Sequence, residues 1–491
     1  MLNPRSFLAC LFITSFGALW IALIGEPLYI PDSYEQLLLA ECLSTGGSSG
    51  INCVQIHPFF RPPFMAFLVW IFSFILPSII AIGMVAWSAS AVFIGTVWSW
   101  HAKEPLVAAA VFLCLLTAPL TLQIFGLADA RILVLPMTFG AALLLKGEDI
   151  QLKKSALAGA LLGLAALVRP EAQAAALLFA GAELLRSRKS ALVLLACAAV
   201  PIALWLVILS VEADQLVLGP RWWEGYLLST FEFIPRRWTL QLFGMGLFSP
   251  EARIIASSFP TAAQGASFNF GSGLQWLFNV CTKAIPIWVL VIGFIGGIRR
   301  ILSKETRHTM MLLAAFACPN LIAAFLPQAQ APIFPHANLL PFFLVLLFLF
   351  AAEITFWCQK IPSVPAARAL PFILIGTSGL LSTAPEAPIG IDRDPAGQAA
   401  VQWLKKNTTA RQSIISSYEN APLIYLSRRK WQQYPAPWEK KRFKKAHYVV
   451  LSSLDAFWIA PDSNLRAPVA YFGGEEQWVA IFSLKKSAYK K

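Results

Sequence analysis

The sequence predicts an all-α polytopic membrane bundle of about 11 transmembrane helices with a small C-terminal α/β extracytoplasmic domain. Three observations predict this fold class. Of the 491 residues, 57% are hydrophobic and only 13% are charged, which is far more apolar than a soluble enzyme. Apolar runs of about 18 to 23 residues recur between short charged clusters, as a hydrocarbon layer of about 30 Å requires. From about Thr383 the sequence turns polar.

The net charge of +13 is read as membrane orientation and attraction to lipid headgroups, so membrane lipids are expected partners and nucleic acid is not. Arg5 places the N-terminus in the cytoplasm. The run 1–24 is kept as the first span, because no small-residue cleavage site of a signal peptide precedes Glu26. The loop 25–63 is therefore expected on the outer side.

The following elements are assigned in order. Residues 64–74 are too short to cross and predict a helix lying along the outer surface. Basic residues at alternate ends then orient the remaining crossings. These are 78–100, 106–122, 130–145, 155–168, 172–185, 191–211, 284–298, 310–326, 339–357 and 370–381. The result divides the chain into a transmembrane domain, 1–382, with external loops 25–63 and 212–283, and an extracytoplasmic domain, 383–491.

The pair 155–168 and 172–185 is hinged at Arg169-Pro170-Glu171. Each half has about fourteen residues and would rise roughly 21 Å, which is short of the bilayer. We therefore expect the hinge to lie below the outer surface and to place Arg169 and Glu171 in a cavity.

The polar tail carries an amphipathic helical pattern at 394–407 and strand-like runs at 413–417, 447–452 and 478–482, which favour a small α/β domain. Of the eight cysteines, Cys42 and Cys53 share the first loop. They could be bridged by a disulfide if that loop is extracytoplasmic.

Two acidic sites stand near predicted span ends. Asp32 in Pro31-Asp32-Ser33 has two interpretations: an N-cap of a helix over 34–43, or a general base that takes a proton from an acceptor hydroxyl. A carboxylate there would also stabilise positive charge on a sugar ring. Glu35, one turn later, is a candidate for a supporting role. Asp129 is either a cavity-facing acid or the ion-pair partner of Arg131.

A third group is cationic and maps to the outer side. Arginine binds phosphate oxygens through two parallel donors, so these residues are candidate contacts for a lipid phosphate. Interfacial anchoring is the alternative for each of them. The group comprises Arg61, Arg169, Arg221, Arg236, Arg237 and His336.

The chain has no HExxH, CxxC pair or Walker loop, so it predicts no metal site and no cofactor. It also lacks a nucleotide-binding α/β unit. An integral enzyme of this kind would take an already activated sugar from the lipid phase.

These motifs resemble the GT-C superfamily of membrane glycosyltransferases, in the branch of protein O-mannosyltransferases and aminoarabinose transferases. The likeness covers roughly residues 1–190. It rests on Asp32-Ser33 with the trailing Gly46-Gly47, Arg61-Pro62-Pro63-Phe64 before a surface helix, Asp129 at the start of a span, and the run from Gly159 to Arg169-Pro170.

The resemblance implies that Asp32 is the base or acceptor-binding carboxylate, Asp129 a supporting acid, and Arg169 or a loop arginine a phosphate contact. The commoner family form has Asp-Glu where Asp32-Ser33 stands here. That departure weakens any divalent-metal role borrowed from metal-dependent members.

The leading hypothesis is an inverting glycosyltransferase in a bacterial plasma (inner) membrane, with its active site on the extracytoplasmic side. It would move a sugar from a polyprenyl-phosphate donor to a glycan, lipid or protein acceptor. One alternative is a flippase or transporter of lipid-linked saccharides, which should carry charges at midspan on several helices. A glycan ligase or polymerase is the other, because the same outward-facing cavity would serve it.

Overall fold

The structure is a computed structural model. It describes residues 31–45, 63–102, 104–117, 128–147, 150–169, 171–212, 275, 277–282, 285–325, 335–360, 369, 372–374, 376–377, 394–416, 420–433, 446–453, 468–474 and 477–484. The chain divides into two compact units. The first comprises Met1–Leu28, Ala86–Ile208 and Gly265–Ala387, and the second comprises Tyr29–Val85, Leu209–Gln264 and Pro388–Lys491.

The helices in the N-terminal four-fifths of the chain closely follow the predicted apolar runs. They are α1 (Pro31–Thr45), α2 (Phe64–Ser73), α3 (Ser78–Trp100), α4 (Pro105–Thr117), α5 (Ala130–Leu145), α6 (Leu152–Ala166), α7 (Glu171–Leu184), α8 (Arg188–Glu212), α9 (Ile287–Leu302), α10 (Lys304–Phe325) and α11 (Pro335–Gln359).

Three of the described helices are long and apolar enough to cross a membrane: Ser78–Trp100, Arg188–Ile208 and Leu339–Gln359. The chain is a membrane protein. The predicted first span, most of the external loop 212–283 and most of the last span lie outside the described residues, so the number of eleven crossings stays a prediction. Helix α2 is a separate helix of 10 residues, or roughly 15 Å, and is too short to cross, as predicted.

Large aromatic side chains form the centre of the first unit. The fully buried Phe139 ring of α5 lies 5.6 Å from Phe93, 5.3 Å from Phe316 and 5.7 Å from Phe348, measured between ring centroids. All three pairs are edge-to-face, the geometry that the ring quadrupole favours. This cluster joins α3, α5, α10 and α11 into one core.

Helices α6 and α8 approach closely because two glycines face the second helix. A Cβ atom at Gly159 would lie 2.2 Å from the Leu194 carbonyl oxygen, and one at Gly163 would lie 2.5 Å from that of Ala198. Small residues four apart allow such backbone contact in membrane helices. The outer face of α8 exposes apolar side chains, including Leu192, Val200, Leu204 and Val207, as a lipid-facing helix does.

Two buried carboxylates tie helix ends together in the same unit. Glu183 accepts a hydrogen bond from Ser190 Oγ at 2.6 Å and lies 3.0 Å from His308 Nε2. Glu353 lies 2.9 Å from Arg299 Nη2 and 3.2 Å from Arg300 Nη1. Each buried charge therefore has the partners that burial requires.

The second unit contains a mixed sheet of 5 strands in the order β2-β1-β3-β5-β4. Strand β1 pairs in parallel with β2 and β3, whereas β5 pairs antiparallel with β3 and β4. In chain order the elements are α12 (Pro395–Asn407), β1 (Ser413–Ser416), α13 (Ala421–Ser427), β2 (Lys430–Gln433), β3 (Tyr448–Ser452), β4 (Ala470–Gly473) and β5 (Trp478–Ser483). The three predicted strand-like runs are β1, β3 and β5.

Helix α12 packs on one face of this sheet through Trp403, whose ring centroid lies 6.0 Å from that of Tyr448. The opposite face carries Ile415, Val449 and Leu451 in a buried apolar cluster. The second unit also includes α1, which contacts α13. The N-terminal loop helix and the C-terminal sheet are therefore parts of one unit.

Candidate active site

Asp32 lies in the first turn of α1. The helix begins at Pro31, three residues earlier than predicted, because proline suits the first helical position. Asp32 is thus inside the helix rather than the residue that precedes it. A carboxylate in the first turn is favoured as the anion by the helix dipole. The Asp32 side chain itself is outside the described part.

The side chains that directly follow Asp32 in α1 are buried within the second unit. Ser33, Glu35 and Gln36 are all at most 3% exposed. Gln36, one turn after Asp32, has a buried Oε1 atom without a hydrogen-bond partner among the described residues. This helix face therefore presents an unused acceptor for a hydroxyl or amide proton.

A second group of polar residues lines a pocket in the first unit, which we call the cationic pocket. It is narrow, with a cavity volume of about 10 Å³, which is room for roughly one water molecule. Helix α5, the α6–α7 turn, α10 and α11 each contribute to its wall. The lining residues are Arg131, Val134, Leu135, Thr138, Arg169, Asn320, Leu340 and Pro341.

Arg131 is set by Asp129, the N-cap of α5. Asp129 has an extended backbone, and its Oδ1 accepts a hydrogen bond from the Arg131 backbone N–H at 3.2 Å. The other oxygen, Oδ2, lies 3.1 Å from Arg131 Nε in an ion pair, and the Asp129 side chain is only 1% exposed. Asp129 is therefore both a helix cap and an orienting partner of the guanidinium, which corresponds to the ion-pair interpretation.

Arg169 reaches the pocket because α6 ends just before it. Helix α6 stops at Ala166, and the Arg169 N–H donates to the Ala165 carbonyl at 2.9 Å. Pro170 disfavours helical geometry at the residue before it. Helix α7 then starts at Glu171. The sequence predicted that this hinge would place Arg169 in a cavity, and the structure confirms it. The Glu171 side chain is outside the described part.

The electrostatics of the pocket favour an anion. Two arginines, Arg131 and Arg169, line it, and Asp129 forms an ion pair with Arg131. Thr138 donates its hydroxyl to the Val134 carbonyl at 2.8 Å, so its oxygen remains available as an acceptor. Val134, Leu135, Leu340 and Pro341 make the remaining wall apolar. The pocket thus combines a cationic end with a hydrocarbon surface.

Several predicted site residues cannot be placed. Arg61, Arg221, Arg236 and Arg237 lie outside the described residues, and so does the side chain of His336 at the start of α11. Within the described part of the chain, no three His, Cys, Asp or Glu side chains come together as ligands of a metal ion.

Of the polar residues that line the pocket, only Arg169 was predicted as a site residue. Arg131 was considered only as a partner of Asp129, and Asn320 was not singled out. A signal existed for Asn320, because it is a polar amide within an otherwise apolar run, and such residues usually face a bundle interior.

No family model and no curated protein matches this chain. Among solved structures, the architecture matches membrane glycosyltransferases, and the chain has a GT-C fold, as the N-terminal motifs predicted.

The particular structures are these. The crystal structure of ArnT from Cupriavidus metallidurans bound to undecaprenyl phosphate is similar over 99% of both chains, with a TM-score of 0.54 and 11% identity. The archaeal oligosaccharyltransferase AglB from Archaeoglobus fulgidus, in complex with an inhibitory peptide and a dolichol-phosphate, has a TM-score of 0.49 and 13% identity. The similarity covers 93% of this chain and 70% of the AglB chain. At 11% identity the likeness to ArnT establishes the fold.

Proposed function

We propose that this protein is a membrane glycosyltransferase that moves a sugar from a polyprenyl-phosphate donor to an extracytoplasmic acceptor with inversion. The observation that carries the proposal is the cationic pocket formed by Arg131 and Arg169 in a GT-C fold. The resemblance of the N-terminal motifs supports the same reaction class.

The pocket has the two properties that a lipid phosphate needs. Guanidiniums bind phosphate oxygens through charge-assisted hydrogen bonds, and the apolar wall suits an isoprenoid chain next to the phosphate. In the predicted topology, Arg131, Arg169, Asn320 and Leu340 all belong to the outer halves of their helices. The ArnT structure with the same fold was solved with undecaprenyl phosphate, which supports a ligand of this class.

The proposed chemistry is a single displacement at the anomeric carbon. The acceptor hydroxyl oxygen forms a bond to that carbon, its proton passes to Asp32, and the bond to the phosphate oxygen breaks with its electron pair on the leaving phosphate. Arg131 and Arg169 stabilise the negative charge that develops there. Attack from the side opposite the phosphate inverts the anomeric configuration.

The side of the membrane is part of the proposal. Cys42 in α1 is disulfide-bonded, and such bonds persist in extracytoplasmic compartments. The expected partner, Cys53, lies outside the described residues. Since α1 and the C-terminal sheet belong to one unit, we propose that both face the outer side of a bacterial plasma membrane. The acceptor is a glycan, lipid or protein.

The test is transfer by purified protein from a synthetic polyprenyl-phosphate sugar, with glycan acceptors from a deletion strain. Asp32→Asn should abolish transfer while leaving expression and membrane insertion intact. Arg169→Ala should raise the half-saturating donor concentration at least roughly tenfold, since a charge-assisted hydrogen bond contributes about 1.5–3 kcal/mol. The half-saturating concentration of the acceptor should stay unchanged.

Two results would contradict this proposal. Transfer at the wild-type rate by Asp32→Asn would remove the base assignment. Movement of intact lipid-linked saccharide across vesicles, without any new glycosidic bond, would identify a flippase instead.

A further inference from the structure

Arg428 ends helix α13 in a backbone conformation that arginine rarely adopts. It caps the helix with φ 56° and ψ 44°, in the left-handed region. It is the one non-glycine residue with positive φ in the part of the chain that the structure describes. Glycine is the usual residue here, because a Cβ atom disfavours this conformation. A residue that breaks a local preference often has a role elsewhere.

That role is visible in the contacts of the Arg428 side chain. Its Nη1 atom forms an ion pair with Glu41 Oε1 of α1. The guanidinium also lies over the Tyr425 ring, 4.5 Å from its centroid. Tyr425 in turn packs against Tyr34 of α1, with ring centroids 5.6 Å apart. These four side chains, two from α1 and two from α13, form one continuous contact.

The contact is well buried at its centre. Tyr34 is 3% exposed and Tyr425 is 4% exposed. Burial raises the pKa of Tyr425, and the nearby Glu41 carboxylate raises it further. Arg428 itself is 60% exposed, and an exposed ion pair is weak by itself. Its effect should be to fix the orientation of α1 on a surface that the tyrosines already bury.

Two contacts constrain the C-terminal end of helix α1. Glu41 contacts Arg428, and the next residue, Cys42, is disulfide-bonded. Asp32 lies at the other end, in the first turn. Because an α-helix is stiff over 15 residues, a fixed C-terminal half also sets the direction of the first turn.

We propose that Arg428 of the C-terminal domain is a positioning residue for transfer: through Glu41 it holds the helix that carries Asp32. This inference rests on the proposed function, and it gives the C-terminal domain a role in catalysis without any contact to the reacting atoms. A small misplacement of a catalytic group is enough to slow a reaction strongly.

The neighbouring Arg429 provides a matched control. Its guanidinium donates to Thr408 Oγ1 at 2.6 Å and to the carbonyls of Leu404, Lys405 and Thr408 at 2.9–3.1 Å. It therefore caps the C-terminal end of α12 within the same domain, and among the described residues it makes no hydrogen bond or ion pair with α1. Arg429 supports the fold of the domain, whereas Arg428 supports its contact with α1.

The experiment compares three variants of the full-length protein. Two are the single substitutions Arg428→Gly and Arg429→Ala. The third is a double variant, Glu41→Arg together with Arg428→Glu, in which the two charges are swapped. Two readouts are used: transfer kinetics and amide hydrogen exchange of α1 and of strands β3 and β5. Arg428→Gly should leave exchange in the strands unchanged, because glycine prefers this cap. It should accelerate exchange in α1 and lower kcat at least roughly tenfold, with donor KM unchanged.

The other variants separate docking from folding. Arg429→Ala should accelerate exchange in α12 and leave α1 at its wild-type rate. The charge-swapped double variant should have a higher kcat than Arg428→Gly and slower amide hydrogen exchange in α1. Wild-type protection of α1 in Arg428→Gly would overturn the docking role.

If the wild-type protein transfers sugar and Arg428→Gly has the same kcat, only the positioning role of Arg428 would be overturned. A wild-type protein that transfers no sugar would overturn the proposed function, and the exchange data would still decide whether Arg428 docks α1.

Discussion

At the residue scale, Asp129 shows how one side chain can serve a helix and a pocket together. One oxygen caps α5 by accepting the Arg131 N–H, and the other pairs with the Arg131 side chain. The cap depends on hydrogen bonding, whereas the orientation of Arg131 depends on charge. Asparagine caps helices about as well as aspartate but carries no charge. The two functions can therefore be separated by substitution.

We expect Asp129→Ala to lower the free energy of unfolding by about 1 kcal/mol, since it removes the cap. Asp129→Asn should keep most of that stability. Both variants should raise donor KM, because Arg131 loses its orienting carboxylate. Thermal unfolding in detergent and donor titrations measure the two effects. Equal loss of stability in both variants would show that charge, not capping, is what Asp129 contributes to α5.

Gln36 raises a second question at this scale, because its buried Oε1 has no hydrogen-bond partner in the described residues. An unsatisfied buried acceptor costs about 1–3 kcal/mol. We predict that Gln36→Leu keeps or raises the melting temperature and raises acceptor KM, because a substrate hydroxyl loses its partner. Donor KM should not change. A variant with wild-type acceptor kinetics would assign Gln36 to the structure of α1 alone.

At the element scale, helix packing in the first unit depends on close backbone contact between α6 and α8. This contact fixes α6, and α6 ends at the turn that delivers Arg169 to the cationic pocket. Gly159 is the tightest point, because an added Cβ would lie 2.2 Å from a backbone oxygen. Backbone cannot rearrange around such a clash as a side chain can.

Gly159→Ala should therefore reduce the yield of folded protein severely. The control is Gly181→Ala in α7, where an added Cβ meets nothing within 4 Å. Alanine is favoured over glycine in a helix interior by about 1 kcal/mol, so that variant should be as stable as the wild type or slightly more so. Size-exclusion profiles and melting curves measure both. A well-folded Gly159→Ala protein would refute the close contact.

At the scale of the whole molecule, the proposed reaction requires that α1 and the C-terminal sheet lie on the outer side of the membrane. The disulfide of Cys42 and the shared unit of α1 and the C-terminal sheet both favour the outer face. We predict that reporter fusions after residue 385 give a periplasmic signal. A membrane-impermeant maleimide should label Cys53 in intact cells only after reduction, whereas the buried Cys114 should stay unlabelled. A cytoplasmic signal after 385 would contradict the eleven-span topology.

Local pattern was enough for much of the fold. The runs 78–100 and 130–145 were predicted with the bounds that α3 and α5 have, because charged or special residues flank continuous apolar segments. The hinge at Arg169 was predictable from the length of its two halves and from Pro170. Helix α13 and strands β2 and β4 were not predicted. Strand β2, Lys430–Gln433, is too short and polar to show alternation.

The sequence by itself determined that this chain is a helical membrane protein with a hinge arginine in a cavity, because hydrophobic length and charge position are local properties. Only the tertiary structure decided that Arg131 and Asn320 join Arg169 in one pocket, and that Glu41 meets Arg428, 387 residues away along the chain. These contacts depend on how distant helices pack, and packing is set by shape complementarity among side chains that no short segment contains.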